Sequence, residues 1–296
     1  MTVLVIGEAL VDVVQRPGRD PEPHAGGSPF NVAVGLARLD VPTTLAAQVG
    51  PDRFGDGLRW HLADSGVTLT ELEPVPERTS TAQATLADDG SASYVFDLTW
   101  NPDALPDPSE AQAVHVGSLG TSLEPGAALV AELVLSADVL GVPVSYDPNV
   151  RLAVEPDPEV WRRVFATIAP HASVIKMSDE DAETLFPGEE PADLARRLAA
   201  DHGIVAITRG GEGAVIATAD AFATVPPADV RVVDTIGAGD SFMAAMLAWC
   251  STYDWPAASE LDSTELTDLA MYAASAAAIT CSRPGADPPH TSDLTP

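Results

Sequence analysis

The chain contains few residues of the kinds that crosslink a protein or give it positive charge. Only two of its 296 residues are cysteines, Cys250 and Cys281, too few for a disulfide framework or a cysteine-based zinc site. It has 15 basic residues against 44 acidic ones, a net charge of −29, and Lys176 is its single lysine. Nucleic acids and anionic membranes both attract basic surfaces, so we expect neither as a partner. The low cysteine content favours a reducing, cytoplasmic location.

Long hydrophobic runs are also missing. No stretch of about 18 apolar residues is free of charges and helix breakers, which predicts no transmembrane helix. The apolar N-terminus lacks a basic start and is interrupted by Glu8 and Asp12, so it predicts a buried first strand rather than a signal peptide. The six histidines lie apart, without the spacing of a metal site.

What the chain does contain is a regular alternation of short β-branched runs with longer segments of helical period. This pattern predicts an α/β fold in a single domain, residues 1–296, with a mostly parallel sheet covered by helices on both faces. Two segments break the rhythm, 13–28 and 69–100, and the second predicts a hairpin that turns at 88–90. We expect both segments to form a small β-sheet lid.

The segment 234–250, DTIGAGDSFMAAMLAWC, carries the most chemistry. The small residues Gly237, Ala238 and Gly239 lead into an apolar helix, and the free amides at such a helix start can bind an oxyanion. Asp240 lies in or just before the first turn, where a carboxylate could deprotonate a hydroxyl during phosphoryl transfer. A plain glycine turn with Asp240 as its N-cap would explain the same residues.

Two further motifs near the N-terminus have features of a sugar site. The paired glycines before Asn31 allow the backbone to approach a ligand, and Asn31 offers both a donor and an acceptor for hydroxyls. Asp12 follows the first strand, at a position where open α/β sheets bind ligands. An ordinary loop before a helix and a solvated turn residue are the alternatives.

Taken together, these motifs resemble those of the ribokinase/PfkB family of sugar and nucleoside kinases. GEALVD at 7–12 and GGSPFN at 26–31 resemble its fructokinase-like branch, and DPNVR, KMSDED and TRGGEG at 147–151, 176–181 and 208–213 match further family motifs in order. The resemblance implies a ribokinase-like three-layer sandwich with a β lid. It also implies transfer of the γ-phosphoryl group of ATP to a sugar hydroxyl, with fructose as the first guess, Mg²⁺ as cofactor and, as in many members, K⁺.

The resemblance also implies a role for each matched residue. Asp240 would be the catalytic base, and the backbone of Gly237, Ala238 and Gly239 would form the anion hole. The sugar would contact Asp12, Gly27 and Asn31, and Arg151 would face substrate or phosphate. The nucleotide would contact Ser178, Thr208, Gly210, Gly211, Gly213 and Gly239. A monovalent cation would lie near Asp234 and the carbonyl of Ile236, and Asp181 would hold Mg²⁺ through water.

Several alternatives stay open at this point. Ser178 and Asp181 depart from the family's Asn and Glu, and a helix capped by Ser178 explains them equally well. The glycines of 208–213 also suit a hairpin turn without a ligand, and 147–151 suits a proline turn. No P-loop, dinucleotide-binding or protein-kinase motif is present.

Other substrates and another class of protein are also compatible with these motifs. The other substrates are 2-keto-3-deoxygluconate and nucleosides, and a non-catalytic nucleotide- or sugar-binding regulator is the rival from a different class. A neutral sugar is favoured because the lid segments carry only three basic residues, Arg16, Arg19 and Arg78. Lid-to-lid dimers are common in the family, so a homodimer is a further expectation.

Overall fold

The computed structural model describes residues 1–15, 20–86, 92–227 and 230–294. The strands in these residues are β1 (Thr2–Ile6), β2 (Leu10–Gln15), β3 (Glu22–Gly26), β4 (Thr43–Ala47), β5 (Thr68–Glu71), β6 (Ser80–Leu86), β7 (Ala92–Asp97), β8 (Ala111–Gly117), β9 (Val144–Asp147), β10 (Val174–Ser178), β11 (Ile204–Thr208), β12 (Ala214–Ala217) and β13 (Phe222–Val225). The α-helices are α1 (Ser28–Arg38), α2 (Arg53–Asp64), α3 (Gly126–Val139), α4 (Pro158–Ile168), α5 (Asp179–Leu185), α6 (Pro191–His202), α7 (Ala238–Thr252), α8 (Ser263–Cys281) and α9 (Thr291–Leu294).

The strands form two separate sheets. Nine of them make one large sheet in the order β13-β12-β11-β10-β9-β8-β1-β4-β5, in which only β12 runs against the others. Helices α1, α2, α7 and α8 pack on one face, and α3 to α6 pack on the other. Both faces are therefore covered, which is why successive residues of the inner strands are buried rather than alternately buried and exposed. The predicted α/β architecture is confirmed.

The four remaining strands form the small sheet, in the order β3-β2-β6-β7. Strand β2 pairs antiparallel with β3 and parallel with β6, and β6 pairs antiparallel with β7. Both strands of the predicted hairpin are present. Its turn at 88–90, together with Arg16 and Arg19, lies outside the described residues.

The predicted boundaries of the lid differ from the observed strands in two places. Strand β5 pairs with β4 at the edge of the large sheet, so the start of the 69–100 segment does not belong to the small sheet. The first strand of the small sheet begins at Leu10, earlier than the predicted 13, and Ser28 already belongs to α1. Strand β5 pairs parallel with β4 and is itself the edge strand of the large sheet.

One edge of the large sheet brings the sequence motifs together. Five parallel strands end there, namely β1, β8, β9, β10 and β11. The small sheet starts at the same edge because β2 follows β1 after three residues. Ligands of open α/β sheets bind at this carboxyl edge. Among the described residues, none of the helices combines the length and the apolar character that crossing a membrane requires. Cys250 and Cys281 are both free thiols.

Candidate active site

A cavity of about 350 Å³ opens at the carboxyl edge, between the large sheet and the small one. Strand β2 and strands β6 and β7 contribute Asp12, Ala82 and Phe96 from the small sheet. The residues that the sequence singled out and that line the cavity are Asp12, Gly27, Asn31, Arg151, Ile236, Gly237, Gly239 and Asp240. The N-terminal and C-terminal motifs, about 200 residues apart in sequence, therefore meet in one site.

The Asp240 carboxylate is held from two sides by the first turn of α1. The Ser28 hydroxyl donates to Oδ1 at 2.6 Å, and the Asn31 side-chain amide donates to Oδ2 at 2.8 Å. Asp240 is 9% exposed, and that remaining surface faces the cavity. Helices α1 and α7 approach closely because Gly35 has no side chain; an added Cβ there would lie 2.7 Å from Ala244 Cβ. Asp240 is therefore fixed, with only a small part of it open to a ligand.

The start of α7 leaves backbone amides next to this carboxylate. Gly237 precedes the helix with φ of +75°, and an added Cβ would lie 2.6 Å from Ala286 Cβ, so only glycine fits this turn. Ala238 lies just inside, and its amide donates to the Thr235 carbonyl at 3.3 Å. The other first-turn amides have no acceptor within the helix and carry the positive end of its dipole. The arrangement can hold an anion beside a carboxylate.

Three other residues that the sequence predicts to face the substrate, Gly27, Asp12 and Arg151, line the same cavity. Gly27 has φ of +100°, and an added Cβ would lie 2.6 Å from the Glu8 carbonyl oxygen. Asp12 is half-buried on β2, and burial raises its pKa although Arg151 and His24 act to lower it. Arg151 is exposed, and its guanidinium donates to the Val150 carbonyl at 3.1 Å.

Glu8 and Ser28 line the cavity, although the sequence motifs assign neither of them a role. Glu8 is 6% exposed, and its Oε2 accepts a hydrogen bond of 2.9 Å from the Gly120 amide. Burial raises its pKa to about 7. Ser28 was treated only as part of the loop before α1, yet it donates to Asp240. The available signals were an acidic residue directly after an apolar strand and a hydroxyl at a helix start.

Of the residues predicted to bind the nucleotide, Gly239 lines this cavity, and the others lie at the same edge outside it. Ser178 and Thr208 are partners across strands β10 and β11. Gly210 and Gly211 form an exposed turn, and Gly213 has φ of +85° with the Val225 carbonyl against its Cα. The turn joins antiparallel strands β11 and β12, so the hairpin interpretation is correct as a description of the fold. Nucleotide binding by these residues stays a prediction.

The two carboxylates assigned to metals by resemblance are engaged with backbone amides. Asp181 accepts from the amides of Val150 at 2.8 Å and Ser178 at 3.0 Å, and Ser178 in turn caps α5. Asp234 accepts from the amides of Ile236 at 3.1 Å and Gly285 at 2.9 Å. Burial acts to raise the pKa of Asp234, but these amides hold it below its ordinary value. Helix capping, the alternative considered for Ser178 and Asp181, is confirmed.

A metal site made of side chains alone needs several ligating groups close together. In the described portion of the chain, no three His, Cys, Asp or Glu residues come close enough to hold a metal ion. Mg²⁺ usually keeps several waters and binds through one or two carboxylates and substrate phosphates. The donor set therefore fits Mg²⁺ that arrives with a nucleotide better than Mg²⁺ held by the protein alone.

The chain is similar to known carbohydrate kinases along almost its whole length. Residues 2–293 match the model of the pfkB family of carbohydrate kinases. The chain is 32% identical to probable fructokinase-4 of Arabidopsis thaliana over 97% of this chain and 92% of that protein. It is 33% identical to a fructokinase of Rhizobium leguminosarum bv. trifolii over 83% of this chain and 78% of that protein.

A solved structure has the same fold and comes from a fructokinase. The fructokinase of Vibrio cholerae O395, crystallised with fructose, ADP and calcium ion, superimposes with a TM-score of 0.82 at 28% identity, covering 99% of this chain and 97% of that one. The predicted ribokinase-like sandwich is therefore confirmed. The chain belongs to the pfkB family of carbohydrate kinases and is an ATP-dependent phosphotransferase that acts on a sugar hydroxyl.

Proposed function

We propose that the chain is a fructokinase in which Asp240 is the catalytic base. The observation that carries the proposal is the convergence of the two helix starts, which fixes the Asp240 carboxylate beside the first-turn amides of α7. The fructokinase names of the relatives support fructose as the acceptor. The charges of the cavity support a neutral sugar, because its described lining has the acids Glu8, Asp12 and Asp240 but only one cation, Arg151.

In the proposed reaction, Asp240 accepts the proton of the sugar hydroxyl while that oxygen forms a bond to the γ-phosphorus and the bond to ADP breaks. Ser28 and Asn31 keep the carboxylate in place by donating to its two oxygens. The amides at the start of α7 hold the transferring phosphoryl group, whose negative charge they stabilise. Mg²⁺ carried by the nucleotide would neutralise phosphate charge. Closure of the small sheet over the cavity would exclude water, which otherwise would accept the phosphoryl group.

The remaining assignments are proposals of the same kind. Asp12, Gly27 and Asn31 would contact the sugar, and Arg151 would face the phosphates. Residues Ser178, Thr208, Gly210, Gly211 and Gly213 would line the nucleotide site, supported by their position at the same sheet edge. We also propose a K⁺ ion near Asp234 and Ile236 and a water-mediated contact of Asp181 with Mg²⁺. The proposal further includes a homodimer formed through the small sheet and a cytoplasmic location.

The test is replacement of Asp240 by Asn, with ADP release measured on fructose, ribose, 2-keto-3-deoxygluconate and adenosine. We expect the parent to turn over fructose best and the variant to lose about 10²- to 10⁴-fold in kcat. Asp193→Asn, on the exposed side of α6, is the matched control and should keep parental turnover. Near-parental turnover by Asp240→Asn would refute the base assignment.

The sugar panel separates the alternatives. Strong turnover of the keto acid would mean that Arg151 or an arginine of the lid segments reaches its carboxylate, and fructose would be the wrong substrate. Calorimetric binding of fructose and ATP without any ADP release from the parent protein would favour a non-catalytic regulator.

A further inference from the structure

A lysine ammonium is buried directly behind the start of α7. Lys176 lies on β10, is 3% exposed and is the only lysine of the chain. Its Nζ donates to Asp147 Oδ2 on the neighbouring strand β9 at 2.8 Å. Burying an ion pair costs desolvation energy, and apolar residues of similar volume often pack as stably. The pair therefore needs a reason other than packing.

The Lys176 ammonium packs against Gly239, whose backbone is part of the proposed anion hole. A Cβ added to Gly239 would lie 2.8 Å from Lys176 Nζ, so the absence of a side chain lets the ammonium approach the backbone. Gly239 also lines the cavity, and Lys176 does not. One residue of main chain thus separates the lysine charge from the space where a phosphoryl group would sit.

The helix start and the nearby carboxylates act on the Lys176 ammonium in opposite directions. The start of a helix carries a partial positive charge, which repels a second cation placed beside it. Burial alone would lower the pKa of Lys176, but the carboxylates of Asp147, Asp240 and Asp181 hold it above its ordinary value. The ammonium is therefore kept charged by nearby acids, in a region from which water is excluded.

We propose that Lys176 is a positioning residue of phosphoryl transfer: held by Asp147 behind Gly239, its ammonium adds fixed positive charge to the anion hole at the start of α7. The proposal rests on the anion hole assigned above. Lys176 transfers no proton and makes no covalent bond. Because it lies behind the backbone, it should stabilise the transferring phosphoryl group more than the bound sugar. Its loss should therefore lower kcat and leave KM for fructose nearly unchanged.

The single lysine allows a direct measurement on the unaltered protein. Protein grown with ¹³Cε,¹⁵Nζ-lysine should give one side-chain ammonium signal by NMR, which needs no assignment. We expect a small shift on adding fructose with MgADP and a clearly larger one when aluminium fluoride is added as a mimic of the transferring phosphoryl group. Equal spectra with and without fluoride, in a sample where fluoride inhibits turnover, would overturn the proposal.

Variants separate a positioning role from a merely structural one. Lys176→Met alone leaves the Asp147 charge buried and unpaired, so it should be destabilised. The double variant Lys176→Met/Asp147→Asn removes both charges and should recover most of the parental Tm. We expect the double variant to keep KM for fructose within about twofold but to lose on the order of tenfold to hundredfold in kcat.

Parental kcat in the folded double variant would overturn the proposal. If that variant does not fold, the NMR measurement on the parent decides. An error in the assignment of Asp240 as the base can be told apart from an error in the role of Lys176. It would appear as retained turnover in Asp240→Asn, whatever the lysine signal does.

Discussion

Replacement of Glu8 by Gln should raise the free energy of unfolding above neutral pH and change it little at acidic pH. Burial raises the pKa of Glu8 from an ordinary value of 4.5 to about 7, although the Gly120 amide, Ser118 and Arg151 act to lower it. The folded protein therefore keeps a proton on Glu8 at pH values where the unfolded chain has lost it. Because the folded state binds more protons in this range, stability falls as pH rises from 4.5 to 7. Above pH 7 the full cost is about 3 kcal/mol.

Gln reproduces the protonated form of Glu8. Its side-chain oxygen can still accept the hydrogen bond from the Gly120 amide, and it carries no charge to desolvate. The stability difference between variant and parent should therefore grow with pH, by about 2 kcal/mol between pH 5.5 and 8.5. The lower limit is chosen to stay away from the isoelectric point of about 4.2, where solubility is lowest.

The measurement is urea unfolding followed by tryptophan fluorescence, for which the chain has five tryptophans. Both proteins are titrated at several pH values, and the free energy of unfolding is extrapolated to zero urea. Glu132→Gln, on the exposed side of α3, is the control, and its difference from the parent should not depend on pH. A Glu8→Gln difference that stays constant or shrinks as pH rises would refute the reasoning.

Two other replacements probe the site. Gly27→Ala should cost about 1–3 kcal/mol in urea unfolding because of its positive φ and the Glu8 carbonyl oxygen against it, whereas Gly57→Ala in the open on α2 should stabilise by about 0.5–1 kcal/mol. Equal effects of the two would contradict the backbone argument. Ser28→Ala removes one of the two hydrogen bonds to Asp240 and should lower kcat about tenfold, with ADP release as the assay; unchanged kcat would mean that Asn31 alone orients the carboxylate.

The sequence is enough to predict a local feature when the residue type allows essentially one local structure. Gly27 and Gly237 were singled out because paired or clustered glycines mark backbone that other residues cannot adopt, and both have positive φ. The sequence also predicts an apolar helix after Gly237, and that helix is mostly buried. It lies between α1 and α8 against the large sheet. These features depend on residues that are close together in sequence, so a short sequence pattern is enough to predict them.

What the sequence could not supply is the identity of distant partners. Ser28 and Asp240 lie 212 positions apart, and Lys176 and Asp147 lie 29 apart on neighbouring strands. Their pairing depends on the order of strands and on the approach of α1 to α7, neither of which a short motif encodes. The prediction that the start of the 69–100 segment belongs to the small sheet was wrong for a similar reason. A short strand suits the edge of either sheet, and its sequence does not show that β5 pairs with β4.

The acid-rich chain raises a general problem for an enzyme whose cosubstrate is a polyanion. With a net charge of −29 and the acids Glu8, Asp12 and Asp240 around the cavity, the long-range field repels ATP. The favourable charges at this edge are close to the site rather than spread over the surface: the start of α7, Arg151 at the rim and Lys176 behind Gly239. Charges act more strongly where water is excluded and salt screens them less. A few interior positive groups can therefore outweigh many exposed acids at short range, which explains why this chain would keep its single lysine where burial costs most.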